Sequence, residues 1–222
     1  MKKFDLSIVA SNYDSVASTL RFIDCINISK NFSILDPEII IVDFTSELDH
    51  TEMAQVHPQV KLVKPQEKRG FTDGNRMGIE ESSGDYLFMV SNLAVVNLLD
   101  LEELLIQYDT CAEYGILSPV FKNEDRSVHH MAFAAVHSSN RNVLINAERS
   151  CEKIIETIYP YDETMLISKS YLKEADLMNG SNFRHELDWV DQIRKSGWKV
   201  GVCLSSEVIK QETEAMVKVS NY

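Results

Sequence analysis

Several places along this chain carry side chains whose type and setting suit chemistry better than packing. Asp43 ends the apolar run EIIIVD (38–43), and an acid there answers no need of the strand unless it begins a turn. Asn12 and Tyr13 follow the run DLSIVAS (5–11), and Ser91 and Asn92 follow DYLFMV (85–90). Such exits matter because open α/β sheets bind their ligands beyond the carboxyl ends of the strands. Glu186 and Asp188 stand two apart. On extended backbone they point the same way and could line one cleft. The other reading makes Asp188 the N-cap of the helix that follows and Glu186 a solvated loop charge. Gly70, Gly74 and Gly78 either permit close backbone approach to a ligand or sheet, or serve turns and helix packing. Asn75, among them, is expected to fix the loop by hydrogen bonds.

The hydrophobic pattern predicts the elements that position these residues. Strands are expected at 5–11, 38–43, 60–63, 85–90 and 115–120, alternating with helices at 15–28, 73–82 and 101–112. Asp14 or Ser15, Asp73 and Asp100 are the expected helix caps, and Gly84 the left-handed residue that stops the third-strand-to-fourth-strand helix. The second half is less regular, with strands at 131–136, 143–146, 165–168 and 198–204. Helices are expected there at 170–176 and 185–197, the latter burying Trp189, Val190 and Ile193 and stopping at Gly197. Strand-helix alternation of this kind predicts one α/β domain over residues 1–222, a mainly parallel mixed sheet with helices on both faces.

Composition narrows the classes of function. A formal charge of −12 argues against a nucleic-acid surface. One basic patch, Lys61, Lys64, Lys68 and Arg69 followed by Arg76, is still enough to hold a diphosphate. Cys25, Cys111, Cys151 and Cys203 are scattered, with no paired spacing, and read as reduced, mostly buried thiols of a cytoplasmic protein. No stretch is apolar for long enough to span a membrane, and MKKFDLSIVAS reads as a first strand, not a signal peptide. Peripheral association with the inner membrane face remains compatible with this. His129 and His130 are adjacent, would face opposite sides of a strand, and make poor joint metal ligands.

Five segments, in order, resemble family 2 glycosyltransferases of the GT-A type (a Rossmann-like fold). SIVASNYD (7–14) is similar to the family's opening strand and polar exit, and IIIVDFTSELD (39–49) to its strand, Asp and Ser-rich turn. GFTDGNRMGI (70–79) is similar to its Gly-Phe…Asn-x-Gly loop, and GDYLFMVSNL (84–93) to the strand leading to its metal site. HELDWVDQIRKSGWKV (185–200) resembles its Glu-Asp-x-Asp segment with a helix ending in Arg-x-x-Gly. The resemblance implies transfer of a sugar from a nucleoside-diphosphate donor to a glycan or lipid-linked hydroxyl, with inversion. It implies nucleotide-sugar contacts from Asn12, Tyr13, Asp43, Gly70, Asn75, Arg76, Ser91 and Asn92, with Asp43 on the base. Glu186 falls on the catalytic base and Asp188 on the second acid. Residues 1–97 would form the nucleotide half and 98–222 the acceptor half.

The chain departs from that pattern in three places. Leu93 stands where the family has its metal-binding Asp and offers no oxygen to Mg²⁺ or Mn²⁺. His185 stands where a Glu usually precedes the base, and Lys210 and Gln211, in EVIKQET (207–213), stand where many members carry a metal- or phosphate-contacting His. Two expectations follow. Either Lys68, Arg69, Arg76 or Lys210 neutralises the diphosphate without a metal, or the domain binds a nucleotide, glycan or protein without catalysis.

Overall fold

The seven residues Leu6–Asn12 form strand β1, and all seven are buried. A strand shielded on both faces is what a parallel sheet between helix layers requires, which is why it reads as a near-continuous apolar run. The computed structural model describes residues 4–13, 16–45, 50–65, 71–91, 94–128, 134–135, 153–160, 164–175, 177 and 186–211. After β1 come α1 (Val16–Ser29), β2 (Glu38–Asp43), α2 (His50–Val56), β3 (Val60–Val63), α3 (Phe71–Glu81) and β4 (Tyr86–Ser91). Then follow β5 (Ala94–Val95), α4 (Leu98–Thr110), β6 (Tyr114–Lys122), β7 (Ala134–Ala135), β8 (Ile154–Tyr159) and β9 (Thr164–Ser168). The chain continues with α5 (Lys169–Glu174), α6 (Glu186–Lys195) and β10 (Lys199–Lys210).

The strands lie in the order β3-β2-β1-β4-β9-β6-β10-β8-β7, with β5 paired to the end of β10. β1, β2, β3 and β4 are mutually parallel, as are β6 and β10, so most of the paired length is parallel. β9 runs antiparallel between β4 and β6, which turns the carboxyl ends of β1, β2, β4, β6 and β10 to one edge. The expected α/β architecture is therefore the observed one. Among the described residues no helix is long and apolar enough to cross a membrane.

Helices cover both faces. On one, α1 and α4 bury Phe22, Ile23, Ile26, Leu101, Leu104 and Leu105 against Leu6, Ile8 and Ala10. Ser29 ties the two helices together, since its hydroxyl accepts the N–H of Leu98 at 3.2 Å. On the other face Ile79, Leu172, Trp189, Val190 and Ile193 pack against Val9, Leu87, Met89 and Met165.

α3 lies along β1 on this second face, and glycines set how closely. A Cβ at Gly74 would stand 2.3 Å from Ser11 Oγ, and one at Gly78 would stand 2.2 Å from Val9 Cγ1. Past the helix, a Cβ at Gly84 would stand 2.7 Å from the backbone nitrogen of Ser7. Residues four apart share a helix face, and alternate strand residues share a sheet face. The bare stripe of Gly74 and Gly78 therefore runs down the row Ser11, Val9, Ser7.

Several local expectations need correction. α4 begins at Leu98, and its N-cap is Asn97, whose side chain accepts the N–H of Leu99 at 2.9 Å; Asp100 sits in the first turn. α3 starts at Phe71, so Asp73 is also a first-turn acid and not a cap. Gly84 is not left-handed: Gly197 is the only glycine of positive φ among the described residues, and it does end α6. Gly84 is demanded instead by crowding against Ser7. Helix α2 and strands β5 and β8 were not expected, and β10 runs on to Lys210, past a register shift between Cys203 and Glu207. The expected strand at 143–146, the caps Asp14 and Ser15, and His129 and His130 lie outside the described residues.

Candidate functional site

Adjacent parallel strands that end together place their exit residues side by side. Asn12 and Asp43 are register partners at the ends of β1 and β2. Asp43 is 1% exposed, and its Oδ1 accepts three hydrogen bonds. They come from Asn12 Nδ2 at 2.9 Å, the Thr45 hydroxyl at 2.8 Å and the Thr45 N–H at 3.1 Å. A carboxylate so provided for is oriented rigidly. The Phe44 N–H donates to Asn12 O at 2.9 Å, holding the two exits together.

Above this pair, the rings of Tyr13 and Phe44 stack at 4.6 Å with an interplanar angle of 7°. Phe44 also abuts Gly74, where a Cβ would meet Phe44 Cε2 at 2.9 Å. The first turn of α3 thus packs against Phe44 and Ser11 beside the exits of β1 and β2. Ser91 ends β4 opposite Ser11. Phe44 and Thr45 were not singled out from the sequence. An aromatic directly after a strand-exit acid was the available signal for Phe44.

Asn75 behaves differently from expectation. It is 0% exposed, and neither its Oδ1 nor its Nδ2 has a hydrogen-bond partner; the Ser11 hydroxyl is buried without one too. Asn75 therefore does not fix the loop by hydrogen bonds. Leaving a buried amide unsatisfied costs about 1–3 kcal/mol. We expect Asn75→Leu, which keeps the branch at Cγ, to raise the unfolding free energy by about 1 kcal/mol in urea titration. A loss of stability would show that the amide is satisfied in solution.

Arg76 reaches Asp73 at 3.4 Å, one turn back in α3, and Lys61 pairs with Glu81 at 2.6 Å. The basic patch is thus partly matched by acids of α3. Gly70, Lys68, Arg69, Asn92, Leu93 and His185 lie outside the described residues.

Glu186 and Asp188 both fall within α6. The segment is helical and not extended, and positions two apart on a helix do not share a face. The argument that both acids line one cleft loses its premise, and so does the alternative of Asp188 as N-cap. Asp188 is half-buried, beside Trp189, on the helix layer that also holds α3.

At the same sheet edge β10 ends next to β5, with Lys210 opposite Ala94. Gln211 is buried, and its Nε2 donates to Ala94 O at 3.2 Å while its Oε1 has no partner. Nearby, Glu207 pairs with both Lys122 and Arg126, and its N–H donates to Asp100 Oδ1 at 3.3 Å. Burial pushes the Asp100 carboxyl above the ordinary range. Among the described residues no three His, Cys, Asp or Glu side chains come together as a metal would require.

No family model matches the chain, and no curated protein matches it by sequence. Solved structures do. GalNAc-T7, crystallised with UDP, GalNAc and Mn²⁺, superposes with a TM-score of 0.70 at 12% identity, over 96% of this chain and 44% of that one. Residues 1–349 of S. aureus TarS superpose at 0.67 and 14% identity, over 93% of this chain and 60% of that one. The same TarS fragment in complex with UDP-GlcNAc superposes at 0.64 and 14% identity, over 96% and 60%. This chain thus spans between 44% and 60% of the lengths of these proteins. At such identities the likeness establishes the fold: a mixed α/β domain with a mostly parallel sheet flanked by helices, as in GT-A glycosyltransferases.

Proposed function

We propose that the chain is a glycosyltransferase-like domain, akin to family 2, that takes a sugar from a nucleoside-diphosphate donor to a glycan or lipid-linked hydroxyl with inversion. The observation that carries this reading is the cluster of side chains at the exits of β1 and β2. There a buried Asp43, held by Asn12, is followed in the chain by Phe44, whose ring stacks on Tyr13 and abuts Gly74. A nucleobase has a flat apolar face and an edge of N–H donors. An aromatic wall and an oriented carboxylate answer those two features. Asn75 and Ser11 add buried polar atoms that lack protein partners and suit a polar ligand. The neighbours solved with UDP or UDP-GlcNAc share the fold, which supports the choice of ligand class.

In the reaction, the acceptor oxygen forms a bond to the anomeric carbon as the bond from that carbon to the diphosphate oxygen breaks. The acceptor proton passes to a carboxylate, for which Glu186 and Asp188 are the candidates. Negative charge grows on the departing diphosphate, and a cation must meet it. The family's divalent ion would supply that charge when bound. The side chains in sequence at the exit of β4 suit it poorly: those of Ser91 and Asn92 are neutral, and that of Leu93 has no oxygen.

Calorimetric titration with UDP, GDP and dTDP, each with and without Mn²⁺, tests the proposal. Binding of one nucleotide in the micromolar range is the expected result and names the donor class. If the folded protein binds none of them, a domain that engages a glycan or a protein without catalysis becomes the better reading.

A further inference from the structure

Large apolar side chains left in water gather on one surface of this domain, the outer side of α1, α4 and the turn after α1. Ile28 is 64% exposed and Phe32 72%, and Ile34, Leu99 and Ile106 are exposed beside them. Scattered singly, such residues need no explanation; gathered, they mark a surface that another molecule covers. Hydrogen bonds do the gathering. The Phe32 N–H donates to Ser29 O at 3.0 Å and folds the turn back over the end of α1. The Ser33 hydroxyl and the Ile34 N–H donate to Glu102 Oε2 at 2.9 and 3.4 Å, which pins the turn on α4 between Leu99 and Ile106. The patch is ordered already, so covering it costs little further entropy.

The outer stripe of α1 identifies the occupant. Ala17, Arg21, Asp24 and Ile28 are all exposed and follow at spacings of four, three and four, which sets them on one helix face. We infer that this face docks a second copy of the chain, the two α1 helices lying antiparallel about a two-fold axis beside Phe22 and Ile23. Ala17 then faces the partner's Ile28 and Arg21 faces the partner's Asp24, and the symmetry makes each contact twice. Small opposes large, and positive opposes negative. Leu20, half-buried next to Ala17, adds to the apolar surface that receives the partner's Ile28. Neither Arg21 nor Asp24 has a hydrogen bond or ion pair within the described residues. An anionic membrane fits this face badly, because Asp24, Asp36 and Glu102 border it and the whole chain carries −12. Two such chains also repel, but at physiological salt that repulsion is screened beyond about 8 Å, whereas the paired charges act at contact.

Sedimentation equilibrium at physiological salt tests this on the wild-type chain, Arg21→Asp, Asp24→Arg and Phe32→Ser, with circular dichroism to confirm that each is folded. The wild type is expected to dimerise with a Kd in the micromolar range, and each variant to associate at least about tenfold more weakly. In Arg21→Asp, aspartate meets aspartate at both contacts; in Asp24→Arg, arginine meets arginine. An equimolar mixture of these two variants restores opposite charges at both contacts, and it should associate as tightly as the wild type. Charges that served only α1 itself would not be rescued by mixing. A wild-type chain that stays monomeric at about a hundred micromolar overturns the inference, whether or not it binds anionic vesicles. So does a charge variant that dimerises like the wild type, or a mixture that remains monomeric.

Discussion

Replacing Asp43 by alanine is expected to reduce affinity for the cognate nucleotide by about 10- to 100-fold and to destabilise the domain by about 2–4 kcal/mol. Both effects come from one geometry. Oδ1 holds Asn12 Nδ2, the Thr45 N–H and the Thr45 hydroxyl, so alanine strands three donors at a place where Asp43 is nearly inaccessible to water. An orphaned buried donor costs about 1–3 kcal/mol. Not all three costs will be paid, because the Thr45 hydroxyl can rotate and the exit loops can relax. On the proposed reading the affinity loss has a separate origin, a charge-assisted hydrogen bond from the base to the Asp43 carboxylate worth about 1.5–3 kcal/mol. Asp43→Asn separates the two effects. Its remaining carbonyl can still serve Asn12 and Thr45, while the group facing the base becomes a donor and opposes a base N–H. Calorimetry and urea unfolding on both variants read the two quantities independently. A folded Asp43→Asn protein that binds the nucleotide as tightly as wild type would remove Asp43 from the site.

Much of this arrangement was legible because it follows from short-range periodicity. The apolar runs ending in Asn12, Asp43 and Ser91 could only be strands buried on both faces, and the polar residue after each run marks where burial ends. The buried side of α6 and its stop at Gly197 were equally plain, since three apolar residues at helical spacing and a left-handed glycine are local signals. What escaped was set by contacts distant in sequence. β5 is two residues long and exists only because the end of β10 pairs with it, so nothing within the segment itself marks a strand. Gly84 looked like a helix stop and is instead a concession to the backbone of Ser7, far back in the chain. The acids Glu186 and Asp188 share a cleft only on extended backbone, although the helix expected over 185–197 already included both, as the observed one does. Asn75 misled for another reason: a polar residue in a glycine-rich segment ordinarily bonds its own loop, yet here burial leaves it without a partner. Such a departure from local consistency is what a binding site is expected to produce.

Gly78→Ala should lower stability by about 2 kcal/mol, and the sign of that change decides whether α3 lies on β1 as described. Helix propensity alone predicts the reverse, because alanine in a helix interior is favoured over glycine by about 1 kcal/mol. Packing opposes it. The added methyl would stand 2.2 Å from Val9 Cγ1 and 3.4 Å from Val42 Cγ2. Both valines are fully buried in adjacent strands, and a β-branched side chain has little freedom to turn away. Overpacking a core costs about 1–3 kcal/mol, and so close an approach belongs at the upper end of that range, so sterics outweigh propensity. The relief must come from lifting α3 off the strand, which also draws Gly74 away from Phe44 and Ser11 and carries Asn75 with it. Nucleotide affinity should therefore fall together with stability, although the neighbours of Gly78 are Val9 and Val42 and not the strand-exit residues. A double-mutant cycle with Val9→Ala tests the cause. Removing the valine methyls vacates the space that the new methyl needs, so the pair should be less destabilised than the sum of the two single changes by at least about 1 kcal/mol. Simple additivity, or a Gly78→Ala protein more stable than wild type, would mean that the helix does not rest on β1 through its glycines. The contact of Gly74 with Phe44 and Ser11 would then need another explanation.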